Sequence, residues 1–360
     1  MRAAVMRGEK LVVADLETPT PGVGEVLVKT LACGICGSDL HALKFGHQMV
    51  QATSETGGGM AMDLSRDVVM GHEFCAEILD YGPSTEQRFK PGTRVCSVPM
   101  TLHGGQVSSV GYSNDVPGGY AENMLLYEPL LLEVPNGLPT DMAALTEPMA
   151  VGYHAVQMAN MSRDDVALVI GCGPVGLAVI VALKRRGIGP VIAADFSPAR
   201  RHLAEQMGAD IVVDPAETSP YESWRSIAGK SPDGELIPAD VLSGNPVFRE
   251  GVFFECVGVP GVLDQLMVGA QRGCRIVVVG VCMQQDHIRP LFGITKELNL
   301  QFVLAYTPEE FAQTLADIAD GALDLSPLVT GRVGIEGVAA AFEELGDPEK
   351  HAKIMVDPQL

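Results

Sequence analysis

Apolar and polar positions alternate over short runs through residues 1–150. Leu11-Val12-Val13, Glu25-Val26-Leu27-Val28-Lys29, Phe74-Cys75-Ala76-Glu77-Ile78 and Arg94-Val95-Cys96-Ser97-Val98 are such runs. Clusters of glycine and proline bound them, as at Pro19 to Gly24 and Lys90-Pro91-Gly92. This spacing predicts β-strands joined by close turns. Gln48 to Asp67 is polar and glycine-rich, and it is predicted as a long loop.

From Met142 the texture changes. An Ala- and Met-rich stretch to Met161 predicts a helix that bridges two domains. Strand-like runs then alternate with helical ones: Val166–Ile170, Val191–Ala194, Ile211–Val213, Val252–Cys256, Arg275–Val279 and Gln301–Leu304. That alternation predicts a parallel sheet with helices on both faces. Two helical segments follow Tyr306, at Glu309–Ala319 and Gly337–Leu345, and Lys353–Val356 is the last predicted strand.

Charge and cysteine usage narrow the function. The 360 residues carry a net charge of −20, which disfavours nucleic acid or an anionic membrane as a partner. The most apolar run, Val166 to Leu183, is broken by three glycines and a proline, so it predicts strand, turn and helix, not a membrane span. No h-region follows Met1, and the eight cysteines are scattered. A reducing cytoplasm is the expected compartment.

The turn after Val166–Ile170 reads Gly171-Cys172-Gly173-Pro174-Val175-Gly176, a GxGxxG that follows a strand and opens a helix. Gly171 permits the turn, Gly173 lets backbone approach a pyrophosphate, and Gly176 allows close helix packing. Pro174 and Val175 stand at the helix start, whose free N–H groups attract phosphate even in an acidic protein. Asp195 ends the next strand, where a carboxylate accepts the ribose hydroxyls of NAD and repels a 2′-phosphate. Arg200 and Arg201 partly offset that repulsion. The cofactor expected is NAD, ahead of NADP. An N-cap role for Asp195 is compatible with binding. Val279, Gly280 and Val281, after a buried strand, are expected beside the nicotinamide.

Cys36, His72 and Glu147 stand in Gly34-Ile35-Cys36-Gly37-Ser38-Asp39, Gly71-His72-Glu73 and Glu147-Pro148. Thiolate, imidazole and carboxylate are zinc ligand types, and three of them leave a fourth position open. Each also has a structural reading: a buried thiol, a core histidine, an acid at a helix N-terminus. Spacing alone does not bring them together.

GICGSDLH at 34–41, GHE at 71–73, EPMAVGYHA at 147–155, GCGPVG at 171–176 and ECVG at 255–258 run in order along the chain. With these motifs it resembles the zinc-dependent medium-chain dehydrogenase/reductase family of alcohol, sorbitol, butanediol and threonine dehydrogenases. The resemblance implies an α/β protein. A GroES-like β catalytic domain (1–150 and 305–360) is joined to a Rossmann domain with a doubly wound parallel sheet (151–304). It implies one catalytic zinc held by Cys36, His72 and Glu147, with Asp39 orienting His72 and Glu73 beside the metal. Ser38 then accepts the alcohol proton and His41 is the next stop. Lys353 is expected at the pyrophosphate or at Glu73. Some relatives have an arginine after the zinc cysteine; this chain has Gly37. The four-cysteine structural zinc of many members is impossible near residues 90–115, which hold only Cys96.

The expected reaction is hydride transfer between an alcohol, secondary or polyol, and NAD, giving the ketone or aldehyde. A homodimer or homotetramer is implied. The competing readings are a metal-free quinone or enoyl reductase of the same superfamily and a non-catalytic NAD-binding protein. Met49, Met60 and Met62, in the glycine-rich stretch, suit either an adaptable cover over a bulky substrate or a surface loop.

Overall fold

A computed structural model describes residues 1–56, 62–135, 137–242 and 244–360. Gly57-Gly58-Gly59 and Met60 lie outside them. The chain divides into two compact units, one of Met1–Pro148 with Pro308–Leu360 and the other of Met149–Thr307.

The first unit is built on a sheet whose middle strand is Glu25–Gly34. Its alternating Val26, Val28, Thr30 and Ala32 are buried, as on one face of a pleated strand. Three strands pair with it antiparallel: Glu73–Tyr81, Asn123–Tyr127 and Lys353–Val356. The register sets Gly34 opposite Glu73 on one side and opposite Met355 on the other. Sheet pairing alone therefore brings the C-terminal strand to the Gly34–Cys36 and His72–Glu73 motifs. Val329–Val333 extends the sheet beyond the C-terminal strand, and Arg94–Ser97 and Leu131–Glu133 extend it past Glu73–Tyr81.

The β-only reading of this unit needs correction. Residues Gly37–Thr56 are helical, in two segments that meet at Phe45 (φ −125°, ψ 28°). The helix thus takes in the first part of the predicted loop. Ala42 and Met49 are buried along it, and Gly46 packs closely against Leu64. Gln51 donates to Glu55 one turn on, at 2.8 Å. The glycines that suggested a loop all follow Thr56.

The second unit is a six-stranded parallel sheet in the order Ile211–Val213, Val191–Ala194, Val166–Ile170, Gly251–Glu255, Arg275–Val278, Asn299–Phe302. The strand order reverses beside Val166–Ile170, the arrangement of a doubly wound nucleotide fold. The outermost strand begins two residues before its predicted start because Asn299 pairs with Arg275 in the parallel ladder. The predicted bridging helix breaks at Leu145 into Thr140–Ala144 and Thr146–Met158. Pro148 lies in the first turn of the second piece, where its missing N–H costs nothing. Among the described residues no helix is long and apolar enough to cross a membrane.

Trp224 anchors the core of this unit. It packs edge-on to Phe253 at 5.3 Å, and its indole N–H donates to the Val166 carbonyl at 3.0 Å. Trp224→Ala removes that packing and leaves the carbonyl short of a donor. It is expected to cost about 3–5 kcal/mol of unfolding free energy, measured by urea denaturation followed by circular dichroism.

Candidate metal centre and nucleotide turn

In the first unit, one donor atom each from Cys36, His72 and Glu73 lie within 4.8 Å of one another. His72 and Glu73 are held at the start of their strand by Gly71, which takes φ +100°. A Cβ at Gly71 would meet the Tyr120 ring at 2.7 Å and Cys33 Sγ at 2.9 Å, so no larger residue fits there. Cys33 itself is fully buried core, with burial pushing its thiol well up.

The donor chemistry suits zinc. Bond lengths of about 2.0–2.3 Å put tetrahedral donors roughly 3.3–3.8 Å apart, so the three would draw inward around an ion. The carboxylate in this cluster is Glu73, not Glu147. Glu147 is buried in the first turn of Thr146–Met158, and its charge acts on Lys353. Glu73 is bound on both oxygens by Lys353 Nζ, at 2.7 and 2.6 Å, and the same ammonium donates to the Ile35 carbonyl at 3.0 Å. Burial opposes the lysine's charge, but Glu73, Cys36 and Glu147 outweigh it and raise its pKa. Of the two partners expected for Lys353, Glu73 is the one it holds, and three acceptor atoms match its three ammonium hydrogens.

Asp39 lies behind the cluster, fully buried. Its Oδ2 accepts from the Cys36 N–H at 3.0 Å and from the Tyr120 hydroxyl at 2.7 Å. Its Oδ1 stands 2.9 Å from the Tyr112 hydroxyl and 3.4 Å from His72 Nδ1, a pairing at ion-pair distance without hydrogen-bond geometry. Burial disfavours the carboxylate, yet His72, Tyr120 and the Cys36 N–H bring its pKa below the ordinary range. For His72 burial likewise opposes charge, but Asp39 and Cys36 prevail and hold the imidazole well above its usual range. A metal ion must displace that proton to bind. Burial and the charge of Asp39 push both phenols well up, so they remain donors.

Ser38 Oγ lies 2.8 Å from the Tyr112 hydroxyl. His41 is half-buried; desolvation and the nearby Lys44 lower its pKa, and its Nδ1 is buried without a hydrogen-bond partner. Sequence reasoning missed Tyr112 and Tyr120, because isolated aromatics in a β-rich stretch read as core. The cysteine-poor stretch near residue 100 forms a hairpin of Met100–His103 and Gln106–Ser109. Thr101 and His103 both reach the buried Glu25 Oε1, at 3.2 and 3.0 Å.

In the second unit the glycine turn is shaped by close contact. Gly171 adopts φ +92°, and a Cβ on Gly176 would lie 1.8 Å from the Gly171 carbonyl oxygen. Gly173 caps the helix Pro174–Arg185, which Pro174 and Val175 begin. Asp195 accepts from the Cys172 N–H and the Ser197 N–H, each at 2.8 Å. It is not the N-cap of the next helix; Ser197 is, accepting from the Arg200 N–H. Burial and Asp195 push the Cys172 thiol up to about 12. The Arg200 guanidinium stands 4.0 Å from Asp195 Oδ2, and its buried Nε has no partner. Arg201 is engaged by Asp214 at 3.0 Å. The Val279 and Gly280 N–H groups both donate to the Glu255 carbonyl, and Val281 is exposed.

Residues 22–136 match the model described as alcohol dehydrogenase GroES-like domain, and residues 174–320 match that described as zinc-binding dehydrogenase. The chain is 30% identical to (R,R)-butanediol dehydrogenase of Bacillus subtilis (strain 168), over 99% of this chain and 100% of that one. It is 27% identical to sorbitol dehydrogenase of the same organism, over 99% and 97%. The X-ray structure of 2R,3R-butanediol dehydrogenase from Bacillus subtilis superposes with a TM-score of 0.80 at 28% identity, covering 99% of both chains.

The Lys353–Glu73 pair gives a direct stability test. Lys353→Met leaves a buried carboxylate without its counter-charge and is expected to lower the unfolding free energy of metal-free protein by about 3–5 kcal/mol. Adding Glu73→Gln should recover most of that loss in the same urea titration.

Proposed function

The chain belongs to the zinc-dependent medium-chain dehydrogenases, and from that premise we propose that it interconverts a secondary alcohol or polyol and its ketone, with NAD as hydride acceptor. The observation that carries this reading is the convergence of Cys36, His72 and Glu73 donors in a buried site. A metal-free reductase has no use for that donor set.

Cys36 and His72 hold the ion in this reading, with Glu147 as the third ligand. Lys353 competes for Glu73 through both oxygens, which leaves Glu73 the more weakly ligating carboxylate. Bound zinc supplies Lewis acidity to the alcohol oxygen, and bound nicotinamide takes up the hydride. The remaining work belongs to the chain. Asp39 fixes the His72 ring through the pairing described above. Ser38 accepts the alcohol proton, and His41, whose lowered pKa keeps it neutral near pH 7, receives it next. The helix start at Pro174 and Val175, with Gly171, Gly173 and Gly176, receives the pyrophosphate. Asp195 accepts the adenosine ribose, with Arg200 beside it, and Val279 to Val281 line the nicotinamide. The neighbouring carboxylate favours NAD over NADP, because it repels a 2′-phosphate.

Two measurements test this. Elemental analysis should find about one zinc per chain, and NAD reduction should be detected with at least one alcohol in a panel of primary, secondary, polyol and aromatic substrates. Zinc near zero, or no reduction across the panel, overturns the reading. In a second experiment, Asp195→Ala should shift the ratio of kcat/KM for NAD over NADP toward NADP by at least about tenfold, since a unit-charge pair at 4 Å is worth up to about 4 kcal/mol at an effective dielectric of 20. An unchanged ratio removes Asp195 from cofactor selection.

A further inference from the structure

Glu255-Cys256-Val257-Gly258 takes no step in the chemistry above, yet it stands between the two turns assigned to the cofactor. Glu255 ends its strand opposite Val278 and is buried. Its Oε1 accepts from the Val257 N–H at 2.8 Å and the Gly258 N–H at 2.9 Å, so the carboxylate closes the turn that follows it. Its backbone carbonyl accepts from the Val279 and Gly280 N–H groups, both at 2.9 Å. One residue thus ties its own turn by the side chain and the next by the main chain. Glycines let the two turns meet. Gly258 takes φ +70°, and a Cβ on it would stand 2.7 Å from the Val281 carbonyl oxygen. A Cβ on Gly280 would run into the Gly258 nitrogen and stand 2.7 Å from Glu255 Oε2. On the other side, a Cβ on Gly171 would lie 2.7 Å from the Val257 side chain. Residues 256–258 therefore fill the space between the glycine-rich turn and Gly280–Val281, with no slack on either side.

We infer that Glu255 is a positioning residue for the nicotinamide, whose carboxylate holds the Val257–Gly258 turn where Gly280 and Val281 rest against it. This rests on the cofactor reading under Proposed function, in which Val279 to Val281 line the nicotinamide, and identifies what sets their place. Glu255 acts through the turn. Burial raises its pKa against the pull of the two N–H groups. Those N–H groups require an acceptor, which an amide oxygen also supplies. The glycine-rich side is held separately, because the Cys256 N–H donates to the Ile170 carbonyl at 2.9 Å. Loss of the carboxylate therefore frees the Gly258 side and leaves the Gly171 side in place.

Calorimetric titration of the zinc-loaded full chain with NADH and with ADP-ribose, which lacks the nicotinamide, separates the two ends of the site. Glu255→Ala should weaken NADH binding by about tenfold and ADP-ribose binding by less than about twofold, since two N–H donors lose their acceptor on the nicotinamide side only. Glu255→Gln keeps an oxygen acceptor and should bring NADH binding back to within about threefold of wild type. Gly280→Ala disturbs the same contact from the other turn and should show the same selective loss. A merely structural role would weaken both ligands together. Equal weakening of both ligands, undiminished NADH binding in Glu255→Ala or Gly280→Ala, or a Gln variant no better than the Ala variant overturns the inference. If Glu255→Ala does not unfold cooperatively in urea, Gly280→Ala decides by the same comparison. A wild type that binds neither ligand overturns the proposed function, and the inference with it.

Discussion

Buried charge has to be balanced, and in the first unit that requirement organises everything else. Asp39, Glu73 and Glu147 are three buried carboxylates, joined by the Cys36 thiol, and Lys353 is the buried lysine set among them. One ammonium cannot offset that much negative charge. His72 gains a raised pKa from the same imbalance. A divalent cation is the complement such a site calls for, and zinc would replace the proton that His72 otherwise attracts. The polar network of Tyr112, Tyr120 and the Cys36 N–H around Asp39 is the other half of the solution, since it hydrogen-bonds a charge that burial would otherwise make prohibitive.

Much of this was legible in the sequence, for identifiable reasons. The parallel strands Val166–Ile170 and Val191–Ala194 are short apolar runs between turn signals, and they form where expected. Gly176 is marked by its motif, and the structure supplies the cause: a Cβ there has no room beside the Gly171 carbonyl. Cys36 and His72 stand in short motifs whose chemistry is plain. Tyr112 and Tyr120 do not, because their bonds to Asp39 cross 73 and 81 residues of chain and depend on turns that no periodicity specifies. The helix to Thr56 was obscured by the glycines after it. That Glu73, and not Glu147, stands with Cys36 and His72 was not legible, and neither was its pairing with a lysine 280 residues away, which no local pattern encodes.

The hairpin of Met100–His103 and Gln106–Ser109 shows how a unit manages without a cysteine-rich lobe at that position. Glu25 takes bonds from Thr101, His103 and the Gly22 N–H, tying the hairpin to the start of the central strand. Since Glu25–Gly34 also carries Gly34 toward the metal motifs, one strand is braced at one end and forms part of the site at the other.

The pairing of Gly34 with both Glu73 and Met355 has a further consequence for how the protein is made. The first unit is discontinuous in sequence, with the entire second unit encoded between its parts. At about 5–20 residues per second, the ribosome delivers Lys353 roughly a quarter-minute to a minute after Glu73. Through that interval the anionic half of the centre waits without its lysine, so the nucleotide-binding unit can complete its own fold before the metal site has all its parts.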